Sequence, residues 1–505
     1  MCLHPTPAAA ARPPQPGTPC PPHHRTPAQR QQLALDALDG QPIAELARQH
    51  QVSRKFVYQQ AATATQGLTD AFDPAADDPE VLFYLPVTRA WLRQFVLALV
   101  LICHSPLRGV VELLRDLFDY PLSLGTVHNI VHAAVPRARA RNDAMDLAGV
   151  RVGTHDEIFQ AGDPVLVGAC ADSTYCYLLS LEEHRDADTW GVRLLELAAR
   201  GFDPEATIAD AAAGLRAGQA LALPGVPCRG DVFHALYEVG PLVRYLENRA
   251  YDAIAARSKL EHQQAQAQRR RGRKEAALAQ KLRHARPAEA RAIALAEEVA
   301  LLARWLGEDI LAVAGPDHAG RRELLDFVIA ELRAREGQCP HRIGPVRRVL
   351  ENQGDDLLAF AAQLDRDLEV LAREWQVEAA VARAALELEA LGPCDPRRGP
   401  RAAALRERLR GRYHGLTKAV RELSGRVVRA SSLVENLNSR LRNYFFLRRQ
   451  LGPDYLALLQ FFLNHRRFLR SEHPGREGKS PAELLTGQAH PHWLELLGYA
   501  RFSRN

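Results

Sequence analysis

The chain has 505 residues, 47% of them hydrophobic and 25% charged, with a net charge of +5, which is ordinary for a globular protein of two to four units with real cores. Its longest strongly apolar run, Phe95 to Cys103, is nine residues, about half of the ~18 that a membrane-spanning helix needs, so a buried helix and no membrane partner are expected. The eight cysteines lack paired CxxC spacing, which argues against a disulfide framework or zinc ribbon and suits a reducing cytoplasm.

Residues 1 to 30 hold nine prolines and lack the charged, apolar and small-residue succession of a signal peptide, so a disordered tail is expected over 1–29. Cys2, His4, Cys20, His23 and His24 fall in it, where an unstructured state outweighs a zinc site. Residues 30–70 read as a helical domain of three short helices ending near 62, and PIAELARQHQVSRKFVYQQ fits a helix-turn-helix. Ile43, Leu46 and Ala47 face inward, Val52 plugs the turn, and Ser53 caps a helix carrying Val57. Arg54, Lys55, Tyr58 and Gln59 then point outward, where a recognition helix meets major-groove edges and phosphates.

The Asp-, Ala- and Pro-rich stretch 72–80 reads as a linker. A second helical domain is expected over 80–140. Leu107, Val110, Val111, Leu114 and Leu117 form an apolar stripe, Tyr120-Pro121 breaks it, and Ser123 caps a helix with Val127, Ile130 and Val131 inward. Thr126, His128 and Asn129 are the outward candidates for DNA contact, and two such units in tandem suit a bipartite DNA reader.

From Val150 the periodicity becomes two. Val150, Val152 and Thr154 alternate up to Asp156, a Gly162-Asp163 turn leads into PVLVGAC, and TYCYLLSL supplies a third run: an antiparallel meander. A helix over 186–200 stopping at Gly201, a strand at 206–210, a helix over 211–221 and a strand reaching GDVFHAL at 230–236 complete the unit.

Three antiparallel strands followed by helix, strand, helix and strand form the ribonuclease-H-like order. DEIF at 156, the strand-Asp-Ala at 209 to 211, Asp231-x-x-His234, and the helix around Glu435 followed by FFLNHRRF and KSPAELL resemble a DDE transposase of bacterial insertion sequences. That family lies in the retroviral-integrase-like superfamily, and the DxxH element is similar to one in mutator-like relatives. The resemblance covers roughly 145–245 and 425–490. It implies a mixed α+β and α/β fold: a ribonuclease-H-like core with a mixed five-stranded sheet, interrupted by a large all-α insertion and preceded by a helix-turn-helix region.

It further implies that Asp156, Asp210 and Glu435 are catalytic and hold two Mg²⁺ (or Mn²⁺) ions, with Asp231 and His234 auxiliary. Phosphodiester chemistry needs an activated water, charge stabilisation and a leaving oxygen, which two cations held by hard carboxylates supply. Double-stranded DNA, both transposon ends and target, is then the partner, bound by a homodimer or higher homo-oligomer, and the location is cytoplasmic and nucleoid-associated. Glu157 faces the other side of the strand from Asp156, and Trp190 belongs to the core of an amphipathic helix.

Residues 246–425 read as the all-α insertion, with stripes over 274–313 and 355–392 broken at Pro287, Gly315-Pro316, Gly354 and Gly392-Pro393; 426–505 return to the core. Basic side chains concentrate at 257–286, ten Lys/Arg against two acids, and at 401–450, thirteen against three. Arg270, Arg271, Arg273 and Arg442 are the candidates there for phosphate contact, weighed against Arg-rich helices that are merely solvated. A non-catalytic, domesticated DNA-binding protein on the same scaffold is the alternative function.

Overall fold

A computed structural model describes residues 25–72, 85–210, 212–269, 275–429, 431–447, 451–471, 473 and 475–501, apart from the side chains of 432 and 433. The tail over 1–24, with Cys2, His4, Cys20, His23 and His24, most of the 72–80 linker, and Arg270, Arg271 and Arg273 lie outside the described residues. The chain divides into two compact units, Met1–Val87 and Thr88–Asn505.

The first unit holds α1 (Pro27–Leu38), α2 (Ile43–Gln49) and α3 (Arg54–Phe72). Thr26 and Gln29 form a reciprocal capping box at α1. Ser53 accepts from Phe56 N at 3.1 Å and starts α3. Leu33, Leu46, Ala47, Val52 and Val57 make a small core with Ile43 and Phe56 against it. The third helix runs to Phe72 rather than stopping near 62, because nothing after Gln60 breaks it except Gly67, which is tolerated within a helix.

The second unit opens with α4 (Arg89–Leu101), α5 (Leu107–Phe118) and α6 (Leu124–Asp143). Ser123 caps α6 through Thr126 N at 3.1 Å. These helices do not form a core of their own: Val96, Val100, Val110, Leu114, Val127 and Val131 share one cluster with Ile158, Val165 and Val167 of the sheet and with Val434, Leu441, Phe461 and Phe462 near the C-terminus. Leu117, expected in the apolar stripe, is 73% exposed on the last turn of α5.

Next come β1 (Val152–Gln160), β2 (Asp163–Cys170), β3 (Cys176–Leu181), α7 (Ala187–Ala198), β4 (Ala206–Ala209), α8 (Ala213–Ala222) and β5 (Cys228–Gly230). The five strands form one mixed sheet in the order β3-β2-β1-β4-β5. The β1–β2 and β2–β3 pairs are antiparallel, and the β1–β4 and β4–β5 pairs parallel. Both faces are covered, which explains the unbroken apolar run of β2. Val165 and Val167 pack toward the helices of the first cluster, whereas Leu166 and Cys170 pack with Trp190, Leu194 and Leu215 of α7 and α8. Trp190 is fully buried there.

The segment DVFHAL is helical, not a strand. Asp231 Oδ1 accepts from Phe233 N at 2.8 Å, a local turn that ends β5 and starts α9 (Val232–Arg269). The helical insertion therefore begins at 232 rather than 246. It continues through α10 (Glu275–Trp305), α11 (His318–Arg335), α12 (Pro340–Glu374), α13 (Ala379–Ala390), α14 (Arg398–Leu409) and α15 (Tyr413–Gly425). Two cores fill it, one joining α9 to α12 and one joining α12 to α15, so the 35-residue α12 spans both. Pro287 and Gly354, expected as breaks, sit inside α10 and α12. A Cβ on Gly354 would come within 2.9 Å of Arg322 and 3.2 Å of Leu325, so this glycine permits the close approach of α11.

The chain returns through α16 (Ser432–Leu447), α17 (Pro453–His465), α18 (Pro481–Thr486) and α19 (Trp493–Leu496). Among the described residues no helix is long and apolar enough to cross a membrane.

Candidate functional site

Strand register assembles the acids. β1 and β4 pair in step from Val152 with Ala206 to Thr154 with Ile208, and two more steps bring Asp156 level with Asp210. β4 and β5 pair from Thr207 with Cys228 to Ala209 with Gly230, and one more step brings Asp210 level with Asp231. In-register residues on neighbouring strands face the same side about 4.8 Å apart, so continuing this register sets the three carboxylates level, Asp156 in the middle of β1 and Asp210 and Asp231 just past the ends of β4 and β5.

Glu435 arrives from α16, whose first turn it occupies, its N–H donating to Ser431 O at 3.0 Å. One turn on, Asn438 donates Nδ2 to Asp156 Oδ2 at 2.6 Å, and Glu157 N donates to Asp156 Oδ1 at 2.7 Å. Burial pushes the Asp156 carboxyl up to about 7, and the charges of Glu435, Asp210 and Asp231 push in the same direction. The structure thus brings the two aspartates and Glu435 together in one electrostatic neighbourhood. Glu435 is also 4.0 Å from Arg442, a loose pairing on the exposed side of α16.

Each acid is held differently. Asp210 Oδ1 accepts from Ala212 N at 2.9 Å, and Arg216 Nε donates to the Asp210 carbonyl at 3.0 Å while its other end pairs with Asp356 of α12. Asp231 is almost wholly buried, with Oδ1 taking Ser431 N at 3.1 Å and Oδ2 taking the Ser431 hydroxyl. Both its oxygens are committed to closing the insertion. His234 is exposed on α9 and lies 4.0 Å from Glu238. Glu157 points to the other face, accepting from Trp190 Nε1 at 2.9 Å and pairing with Arg185 at 2.8 Å.

Ser431, Arg216 and Asp356 were missed by sequence reasoning. Ser431 carries a faint signal, a hydroxyl placed one turn ahead of Glu435; Asp356, in the middle of a long helix 140 residues from Arg216, carries none.

The donor set suits a hard divalent cation. Every candidate ligand is a carboxylate oxygen, and Asp156 is surrounded by like charge, which a cation relieves. Among the described residues no three His, Cys, Asp or Glu side chains already form a metal cage. Asp231 is committed to Ser431, and Glu435 leans toward Arg442.

The candidate nucleic-acid contacts are displayed as separate sets. Arg54, Lys55, Tyr58 and Gln59 are exposed at the start of α3, and Thr126, His128 and Asn129 at the start of α6. Much of the basic composition elsewhere is internally paired: Arg257 with Glu261 and Glu289, Arg286 with Glu261, Arg401 with Glu387, Arg408 with Glu378, and Arg421 with Glu389. Compared with known proteins, the chain matches no family model, and no curated protein matches it significantly.

Proposed function

We propose that this chain is a DNA transposase of the DDE type. In this reading it binds the inverted repeats at transposon ends and carries out metal-dependent cleavage and strand transfer of DNA. The observation that carries it is that Asp156, on β1, and Asp210, just past the parallel strand β4, lie level by register, with Asn438 of α16 bonded to Asp156 and Glu435 of the same helix within its electrostatic field. The mixed five-stranded sheet with both faces covered supports a ribonuclease-H-like reading of the core, and the serine cap ahead of α3 supports a helix-turn-helix reading of the first unit.

Asp156, Asp210 and Glu435 would hold the cations. Bound there, two Mg²⁺ ions supply an activated water and neutralise charge on the scissile phosphate. The protein's own groups set the stage: Asn438 and the Glu157 N–H fix the orientation of Asp156, and Arg216 ties the Asp210 backbone to α12. Asp231 anchors the return of the Glu435 helix rather than serving as a free ligand. A homodimer or larger assembly on paired DNA ends is part of the proposal.

The test is incubation of the full chain with Mg²⁺ and duplexes taken from the DNA flanking its own coding sequence. Nicking that disappears in Asp156→Asn and Glu435→Gln is expected. Tight, sequence-selective binding without nicking by the unmutated protein would replace this reading with that of a non-catalytic DNA-binding protein on the same scaffold.

A further inference from the structure

We infer that a cavity on the carboxylate-bearing face of the sheet binds one nucleotide, its base against Phe233 and its phosphate at Arg429 and Arg476. The cavity has a volume of about 610 Å³, within the ~300–1,000 Å³ usual for small-molecule sites. It lies between the start of α9, the α15–α16 connection and the loop after α17, and all three side chains line it.

Strand register fixes its place relative to the acids. Val428, in the cavity wall, packs on Val152, Ala171 and Ile208. Val152 is level with Ala206 and Thr154 with Ile208, so Val152 and Ile208 project on the same side of the sheet as Asp156 and Asp210. Val152 precedes Asp156 by four residues, about 13 Å of extended strand, or the rise of roughly four stacked nucleotides. The wall is also continuous with the bonds that close the insertion: Val232 follows Asp231, and Arg429 stands two residues ahead of Ser431. A polynucleotide with one phosphate at the acids can therefore set a nearby nucleotide in the cavity.

The lining has two kinds of chemistry. Ala171, Val232 and Val428 are apolar, and the Phe233 ring, 40% exposed, is stacked on that of Tyr237 with centroids 6.2 Å apart. An exposed aromatic face beside an apolar floor is a surface on which any base can stack. Arg429 Nη1 donates to Leu311 O, and Arg476 Nη2 to Asp172 O at 2.8 Å. Among the described residues neither guanidinium forms an ion pair, and none of their other N–H groups is enclosed without a partner, so these groups reach the solvent of the cavity. Asp172 also lines it, but both its carboxylate oxygens are taken by Arg151, at 3.1 and 3.2 Å. Carbonyls thus hold the two guanidiniums in place without neutralising them, which suits a phosphate rich in acceptors.

A ring to stack and a phosphate to bond, within the span of one cavity, are the two ends of a nucleotide. That chemistry stands on the lining alone. Its source in a DNA strand held at Asp156 and Asp210 rests on the transposase reading.

The experiment uses the full chain without added metal and three probes: dAMP, deoxyribose phosphate and oligothymidylate. By titration calorimetry dAMP is expected to bind about tenfold more tightly than deoxyribose phosphate, because the base adds a stacked ring. Phe233→Ala should lose that advantage and Phe233→Tyr should keep it, a rescue that a packing defect would not give. Arg429→Gln and Arg476→Gln should each lower the salt slope of oligothymidylate binding by about 0.7. Weaker oligothymidylate binding by the variants places the nucleotide in a DNA strand; losses with dAMP alone make it a free nucleotide. Equal affinity of all the variants for both probes, or no binding of either by the unmutated chain, overturns the site. Absence of nicking by the unmutated chain with Mg²⁺ overturns the transposase reading instead, and leaves these metal-free titrations to decide the cavity.

Discussion

Asp231 and Ser431 stand 200 residues apart in the chain and are bonded twice, the Ser431 N–H to Oδ1 and its hydroxyl to Oδ2 of the same carboxylate. Val232 N adds a third link, to Arg429 O at 3.0 Å. The insertion therefore leaves and re-enters the core at one point. Its exit starts α9 and its return starts α16, so the clasp sets where Glu435 begins relative to the sheet.

Removing the Ser431 hydroxyl leaves a buried carboxylate short of a donor. Ser431→Ala is expected to cost about 1–3 kcal/mol, seen as a lower urea midpoint with an unchanged slope. Mg²⁺-dependent nicking should fall as well, because the start of α16 loosens. Unaltered stability would mean that the clasp is not what closes the insertion.

Asp156 makes stability depend on pH. Its carboxyl is pushed from 3.8 up to about 7 by burial and then by its acidic neighbours. The folded state keeps a proton that the unfolded chain gives up, so the stabilisation is complete below about pH 3.8 and is lost as pH rises through about 7. With divalent cations chelated, the unmutated chain should lose on the order of 3–4 kcal/mol relative to Asp156→Asn across that window. Adding Mg²⁺ at pH 8 should restore it. Denaturant unfolding of both proteins between pH 4 and 8 checks this, and parallel curves would count against it.

Asn438 favours the ionised form of Asp156 by donating to it. Asn438→Ala should shift the acid limb of the pH–rate profile for nicking upward by about one unit, with little change in KM for DNA. A loss of rate that is uniform at all pH values would instead point to a packing defect.

Arg54 and Lys55 are exposed at the start of α3 and can be replaced without touching the Leu33–Val57 core. The double change to Ala should leave the unfolding temperature unchanged, weaken duplex binding, and reduce its salt slope by up to about 1.8. An unchanged slope in a fluorescence anisotropy titration would remove α3 from the DNA surface.

Local order was readable wherever the signal was itself local. Ser53 and Ser123 cap helices because a hydroxyl before an amphipathic run reaches the third N–H. Asp156 and Glu157 part to opposite faces because strand side chains alternate, and Trp190 is buried because α7 has one apolar side. The misreadings share another cause. DVFHAL has the composition of a strand, but one carboxylate bonding two residues ahead starts a helix; Gly354 looks like a break, but a neighbouring helix needs its missing Cβ.

Periodicity and residue type were thus enough to place the first four strands and most of the helices, since these depend on neighbours within a turn or a strand. Which acids meet, and how, was decided in three dimensions. Asp156 and Asp210 stand level through strand register; Asp231 is drawn off to hold Ser431, and α12 sends Asp356 to Arg216 beside Asp210. Arg401 and Arg442 look alike in sequence, yet Arg401 meets Glu387 of another helix while Arg442 meets Glu435 of its own. Partners brought from hundreds of residues away leave no periodic trace, because the contacts that select them exist only once the cores have packed.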